Sequence, residues 1–208
     1  ADEVGTALTE LVDSRVGMGD TGETYLSEYE AGTYTLRSDI PITRNGDLVH
    51  GTDVTDIAPE YMKLGHLGES GHDIFSDSTG TLIMGIYTPI DYGEANIVLV
   101  TKKNLEEALT VAAEGSQQDY LTRYNEQLGY YDLFLIHPQG EIFYSVAKES
   151  DYRTNIISGE YSDSSLNQAV TEAIATEAFG FGDFAPYEPS GGEPASFVAD
   201  TITDGGEI

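Results

Sequence analysis

The 208 residues suffice for one large domain or two small ones. Against nine Lys and Arg stand 37 Asp and Glu, a formal charge of -28, which makes nucleic acid and anionic membrane surfaces poor partners. The absence of Cys removes disulfides, thiolate metal sites and cysteine nucleophiles together. The acids are dispersed rather than run together, which argues against a disordered acidic tail. Self-repulsion of this size is tolerable mainly where salt screens it, because the Debye length falls to ~3 Å at about 1 M. The chain therefore reads as acidic and halophilic, adapted to high salt. No run approaches the ~20 apolar residues of a membrane span, and no leader pattern opens the chain, so any anchors of the parent protein are expected outside these residues.

In Glu3–Val16, Val4, Leu8, Leu11, Val12 and Val16 recur on one helical face. Strands are expected over Glu23–Tyr29 and Thr33–Ile40, followed by a turn at Asn45-Gly46. A short helix capped by Asp56 carries Ile57, Tyr61 and Leu64, with Pro59 in its first turn. A glycine-rich break spans Gly65–Gly71, and two or three strands then run from His72 to Thr101. Asn104 opens a capping box for a helical stretch that breaks at Gly115 and resumes through Tyr120, Leu121, Tyr124 and Leu128. A hairpin over Leu133–Val146 turns at Pro138 and Gly140. A helix capped by Ser165, with Gln168 three residues on, precedes a second hairpin closing around Gly191-Gly192.

This order states one pattern twice, about 110 residues apart. TYLSEYEAGTYTLRSD corresponds to LFLIHPQGEIFYSV, and HDIFSDSTGTLIMGIYTPI corresponds to GDFAPYEPSGGEPASFVADTI. Such a repeat is too long for a solenoid unit of ~20–50 residues, so it implies two similar α+β modules. Each is expected to be an antiparallel sheet with flanking helices: residues 1–103 with the N-terminal helix, a helical connector over 104–128, and residues 129–208. In the second module no strand corresponding to Ile97–Thr101 is expected within these residues.

YYDLFLIHPQGEIFYSVAKESDY, continued by GDFAPYEPSGGEPASFVADTI, resembles the extracytoplasmic sensor region of chemoreceptors, sensor kinases and related transducers. GMGDTGETYL, with TLRSD and GTLIMGIYTPI, is similar to the second type of module in such receptors. Both module types of those receptors belong to the Cache group of PAS-like sensor domains, which the chain thus resembles. The resemblance implies a small-molecule-sensing ectodomain of a membrane-anchored signal transducer, not an enzyme, with a homodimer through helices as one expected assembly. Two departures stand out. The order of the two module types is reversed, and the Arg-Pro-Trp-Tyr-like run of amino-acid-binding members is absent: the chain has no Trp, and only Asp151-Tyr152-Arg153 lies near that place. A metal-dependent hydrolase at His66 and His72, and a surface or adhesion spacer, are the alternatives.

His66, Glu69, His72 and Asp73 bring metal-ligand types together, but Gly65, Gly68 and Gly71 interleave them, which reads as a loop with undefined faces. A catalytic zinc needs three protein ligands and an open position, and neither a metal nor a cofactor is expected. Acid-dense loops at Asp73–Asp77 and Ser162–Ser164 lack EF-hand spacing, and there is no GxSxG elbow or phosphate loop. Five Arg in so acidic a chain each need a reason. Arg37 and Arg153 offer planar forks for a carboxylate, with Asp77 and Asp183 as opposing charges. Tyr34, Tyr87, Tyr144 and Tyr187 are expected to wall the pocket. The ligand this mixed sign suits is a small organic acid or a zwitterion. Module two, the closer family match, is expected to face it.

Overall fold

The computed structural model describes residues 8, 10, 12–77, 79–110, 112 and 118–202. It divides into two units, 1–111 and 112–208. In the first, ETYLSEYE forms β1 (Glu23–Glu30) and TYTL forms β2 (Thr33–Leu36). A 3₁₀ turn at Thr55–Ile57 leads into helix α1 (Glu60–His66), then β3 (Gly71–Ser76), β4 (Leu82–Tyr92), β5 (Ala95–Asn104) and the short helix α2 (Leu105–Leu109). The strands make one antiparallel sheet in the order β2-β1-β5-β4-β3. The last strand thus lies in the middle, which suits ANIVLV, its most β-branched and apolar stretch.

Period-two alternation decides what β5 presents to the core. Val98, Val100 and Lys102 share one buried face, and there Tyr25, Leu36, Tyr61, Met62, Ile83 and Tyr87 pack around the two valines. Helix α1 approaches this face so closely that a Cβ on Gly65 would lie 2.6 Å from a Val98 methyl. On the other face, Val12 packs with Leu26 and Ile97. Of the helix expected over Glu3–Val16, residues 1–7, 9 and 11 lie outside the described residues; 8, 10, 12 and 13 are helical.

Local expectations change in this unit, among them the cap of α1: Asp56 lies within the 3₁₀ turn, and Pro59 holds the N-cap position. Strand β2 stops at Leu36 rather than Ile40, because Leu36 exchanges backbone bonds with the returning segment: its N–H reaches Thr52 O at 3.0 Å, and its O accepts from Gly51 N at 2.8 Å. The break expected at Gly65–Gly71 is shorter: His66 ends α1, while His72 and Asp73 lie in β3, paired with Ile86 and Gly85. Asn104 precedes α2 without capping it through its side chain.

The second unit begins with helix α3 (Tyr120–Leu128), capped by Asp119, whose carboxylate accepts from Thr122 N at 2.9 Å, and closed by Gly129 at φ 70°. The expected break at Gly115 lies outside the described residues. Strands β6 (Phe134–Ile136) and β7 (Ile142–Ser145) form one hairpin, and β8 (Gly180–Pro186) and β9 (Pro194–Ala199) form another. Between them runs helix α4 (Ser165–Thr176), capped by Ser164, one residue earlier than expected. Ile142, Ile156, Leu166, Val170 and Tyr187 form the core, flanked by Phe134, Ile136, Ala195 and Phe197. The two hairpins are separate two-stranded sheets, and residues 203–208 lie outside the described residues.

Candidate functional site

In the first unit, residues 37–59 leave β2, cross the buried face of the sheet and enter α1. Backbone bonds to β2 hold this segment down: Leu36 N to Thr52 O at 3.0 Å and Val54 N to Tyr34 O at 2.9 Å. Beneath it lies a cavity of ≈ 20 Å³, space for about one water molecule. Leu36, Ile40, Leu48, Val54, Ile57 and Met62 give it apolar walls, while the Tyr25, Tyr61, Thr43 and Lys102 side chains give it a polar end.

That polar end contains a buried charge cluster. Lys102 Nζ donates to Thr43 Oγ1 at 2.6 Å and lies 3.4 Å from Glu23 Oε2 and 3.5 Å from Asp77 Oδ2. The Lys102, Glu23 and Asp77 side chains are 5%, 1% and 7% exposed. Glu23 also accepts from the N–H groups of Ile42 and Thr43 and from the Thr43 hydroxyl. Asp77 Oδ1 accepts from the Thr79 N–H and hydroxyl and from Thr81 N–H. Burial would raise the Asp77 carboxyl, but the Thr79 bonds, then Lys102 and the Thr81 N–H, hold it below the usual carboxylate range. The Tyr25 hydroxyl donates to that of Tyr61 at 3.3 Å, and burial foremost pushes both phenols up, that of Tyr61 to about 12. Both hydroxyls are therefore neutral donors at physiological pH.

The residues singled out from the sequence fall in different places. Asp77 belongs to this cluster, with Lys102 as its cation. Arg37 instead pairs with Glu28 on β1, its Nε 2.5 Å from Oε2, at a partly exposed position. Tyr87 is buried on β4 beside Phe75, and Tyr34 makes tilted ring contacts with Tyr29 and His66, centroids 4.6 and 5.4 Å apart. In the second unit, the Tyr144 hydroxyl donates to Asp119 at 3.0 Å, and burial foremost pushes it up to about 12. The Tyr187 hydroxyl donates to Asp151 at 2.5 Å. Arg153 takes φ 64° in a turn and sets its guanidinium 5.1 Å from the Tyr152 ring centroid. Asp183 is exposed on β8, at the rim of an open groove of ≈ 380 Å³ beside the first turn of α4.

Lys102, Glu23, Thr43, Tyr25 and Tyr61 were not singled out. Lys102 was legible from the alternation that sets it on one face with Val98 and Val100, and from the scarcity argument applied to Arg. Glu23 and Thr43 carry no local signal, since their partners are distant in sequence.

His66 is a core histidine. Asn96 Nδ2 donates to His66 O at 3.0 Å, which fixes Asn96 Oδ1 as the acceptor facing Nδ1 at 2.9 Å. Nε2 then accepts from the Ser27 hydroxyl at 2.8 Å, and burial foremost holds the imidazole below its usual pKa. Both nitrogens are thereby occupied. Among the described residues no group of three or more His, Asp or Glu could hold a metal ion.

No family model matches the chain, and no curated protein matches it. Solved structures align with it, two of them as follows. One is the extracellular domain of the histidine kinase mmHK1S-Z2, at 10% identity over 95% of this chain and 75% of that chain, with a TM-score of 0.45. The other is the ligand-binding domain of the Pseudomonas aeruginosa PAO1 amino acid chemoreceptor PctC in complex with GABA, at 20% identity over 76% of this chain and 63% of that chain, with a TM-score of 0.41.

Proposed function

We propose that the chain is a small-molecule-sensing module of the Cache type, the extracytoplasmic part of a membrane-anchored signal transducer, and that it works by binding rather than catalysis. The reading stands on the chain's own geometry and sequence. The observation that carries it is the cavity between the sheet and residues 37–59, with apolar walls and a buried polar end of mixed sign. A small zwitterion or organic acid suits that end: a carboxylate meets Lys102 and the Tyr61 hydroxyl, and an ammonium meets Glu23 or Asp77.

At ≈ 20 Å³ the cavity is too small for such a molecule, so entry requires residues 37–59 to lift. Binding is therefore coupled to a second conformation, and a ligand favouring that state by about 2 kcal/mol shifts the balance ~30-fold. Of the candidate charges, Asp77 with Lys102 supports this reading better than Arg37, Arg153 and Asp183, which favours the first unit rather than the second as the ligand-facing one. A thermal-shift screen of amino acids, betaines and small dicarboxylates is expected to give stabilising compounds. Lys102→Met is expected to abolish the shift, while Arg153→Ala leaves it intact. Stabilisation that survives in Lys102→Met would place the site elsewhere, and a folded protein that responds to none of these compounds would favour a surface or adhesion spacer.

A further inference from the structure

Asp151 is fully buried in the turn after β7, and its carboxyl oxygens are used unequally. Oδ2 accepts from the Tyr187 hydroxyl at 2.5 Å, whereas Oδ1 is buried and has no hydrogen-bond partner. Tyr187 is 2% exposed, packs in the core of the second unit and begins the turn of the β8–β9 hairpin, its carbonyl accepting from Ser190 and Gly192 N–H. One hydrogen bond thus ties the turn after β7 to the turn after β8. A second runs alongside it, from Ser190 Oγ to Glu149 Oε2 at 2.7 Å.

The charges set around this link matter. Glu149 lies on the same loop as Asp151 and also accepts from the Tyr131 hydroxyl at 2.5 Å. Asp132, from the segment before β6, accepts from the N–H groups of Leu133, Val146 and Ala147 and from the Ser145 hydroxyl. Lys148 and Arg153 flank the Tyr152 ring, each 5.1 Å from its centroid, and Arg153 acts on Glu141. Ionised, Asp151 would carry a buried charge with one oxygen unpaired and with Asp132 and Glu149 as negative neighbours.

We infer that Asp151 is a proton-operated latch between the two turns, closed when Oδ1 carries a proton and loosened when the carboxyl ionises. Protonation from solvent removes the buried charge yet leaves Oδ2 free to accept from Tyr187. Burial foremost, with Asp132 and Glu149 adding to it against the Tyr187 bond, raises the Asp151 carboxyl above its ordinary 3.8. Burial, then the Asp151 carboxyl, pushes the Tyr187 phenol up, so it stays a donor. Because the folded-state value is raised, this contribution to stability is complete below the ordinary carboxyl value and is lost as pH rises through the folded value. The proton is then an input separate from the small-molecule cavity, and the latch holds whether or not that reading does.

Two measurements on the 208-residue chain test this at constant salt. In protein labelled with ¹³C at aspartate carboxyls, the Asp151 resonance is expected to titrate above the ordinary carboxyl range, with the Tyr187 ring signals moving in step. Titration at or below that range would overturn the latch. In Asp151→Asn, whose amide oxygen still accepts from Tyr187, the melting temperature is expected to gain on that of the unsubstituted protein as pH rises from 4 to about 8. Parallel pH profiles would equally overturn it. Should the variant fail to fold, the carboxyl titration alone decides.

Discussion

Lys102 shows how a single residue can be indispensable without being strongly stabilising. Its ammonium neutralises part of a buried carboxylate pair, yet forming such a cluster means desolvating all three groups, and its net contribution is small. Removing one partner is different. Lys102→Met is expected to destabilise the first unit by about 3–5 kcal/mol, because Glu23 and Asp77 are left buried without their cation. Adding Glu23→Gln and Asp77→Asn to that variant is expected to restore most of the loss in chemical denaturation. Equal losses in the single and triple variants would show that the lysine stem, not its charge, matters. Asp77 and Asp151 also respond to acid in opposite senses. The lowered Asp77 carboxyl contributes stability above its ordinary value, lost as pH falls through the folded value, whereas Asp151 contributes on the acid side.

At the scale of elements, helix α4 lies against β8 with backbone touching backbone. A Cβ on Gly180 would fall 2.0 Å from Ala169 O, and one on Gly182 would fall 1.9 Å from Ser165 O. Helix and strand must separate to admit either, so Gly180→Ala and Gly182→Ala are each expected to cost about 1–3 kcal/mol. Gly85→Ala is the control, since its nearest neighbour would be Ile83 Cδ1 at 3.4 Å, and its effect is expected to be much smaller. Equal thermal shifts in all three would mean that backbone entropy, not close approach, governs these positions. Strand positions such as Val98 and Val100 were legible because alternation is a local property. Where β2 ends was not, since Leu36 is released by bonds to Thr52 and Gly51. The same limit applies to the candidate site. Asp77 could be singled out as an acid beside a hairpin, but its cation lies 25 residues further on, in β5. Tyr187 could be named, but the sequence does not reveal that its hydroxyl is already committed to Asp151.

For the whole molecule the dominant quantity is charge. Twenty Asp and Glu face six Lys and Arg in residues 1–111, and seventeen face three in residues 112–208, so each unit carries a formal -14. Most of these acids are on the surface, where salt screens them, and the Debye length falls from ~10 Å at about 0.1 M to ~3 Å at about 1 M. The melting temperature is therefore expected to rise steeply between dilute buffer and about 1 M KCl and to flatten beyond it. Sucrose, which favours compact states by exclusion without screening charge, is expected to give a smaller rise at the same ionic strength. The buried cluster around Lys102 should behave differently, because buried pairs are screened far less. The loss caused by Lys102→Met is accordingly expected to be nearly the same in dilute and molar salt, even as both proteins gain stability. A melting temperature unchanged by molar KCl would refute salt adaptation and leave an ordinary acidic ectodomain. A Lys102→Met loss that shrinks in step with added salt would instead show that solvent reaches the cluster.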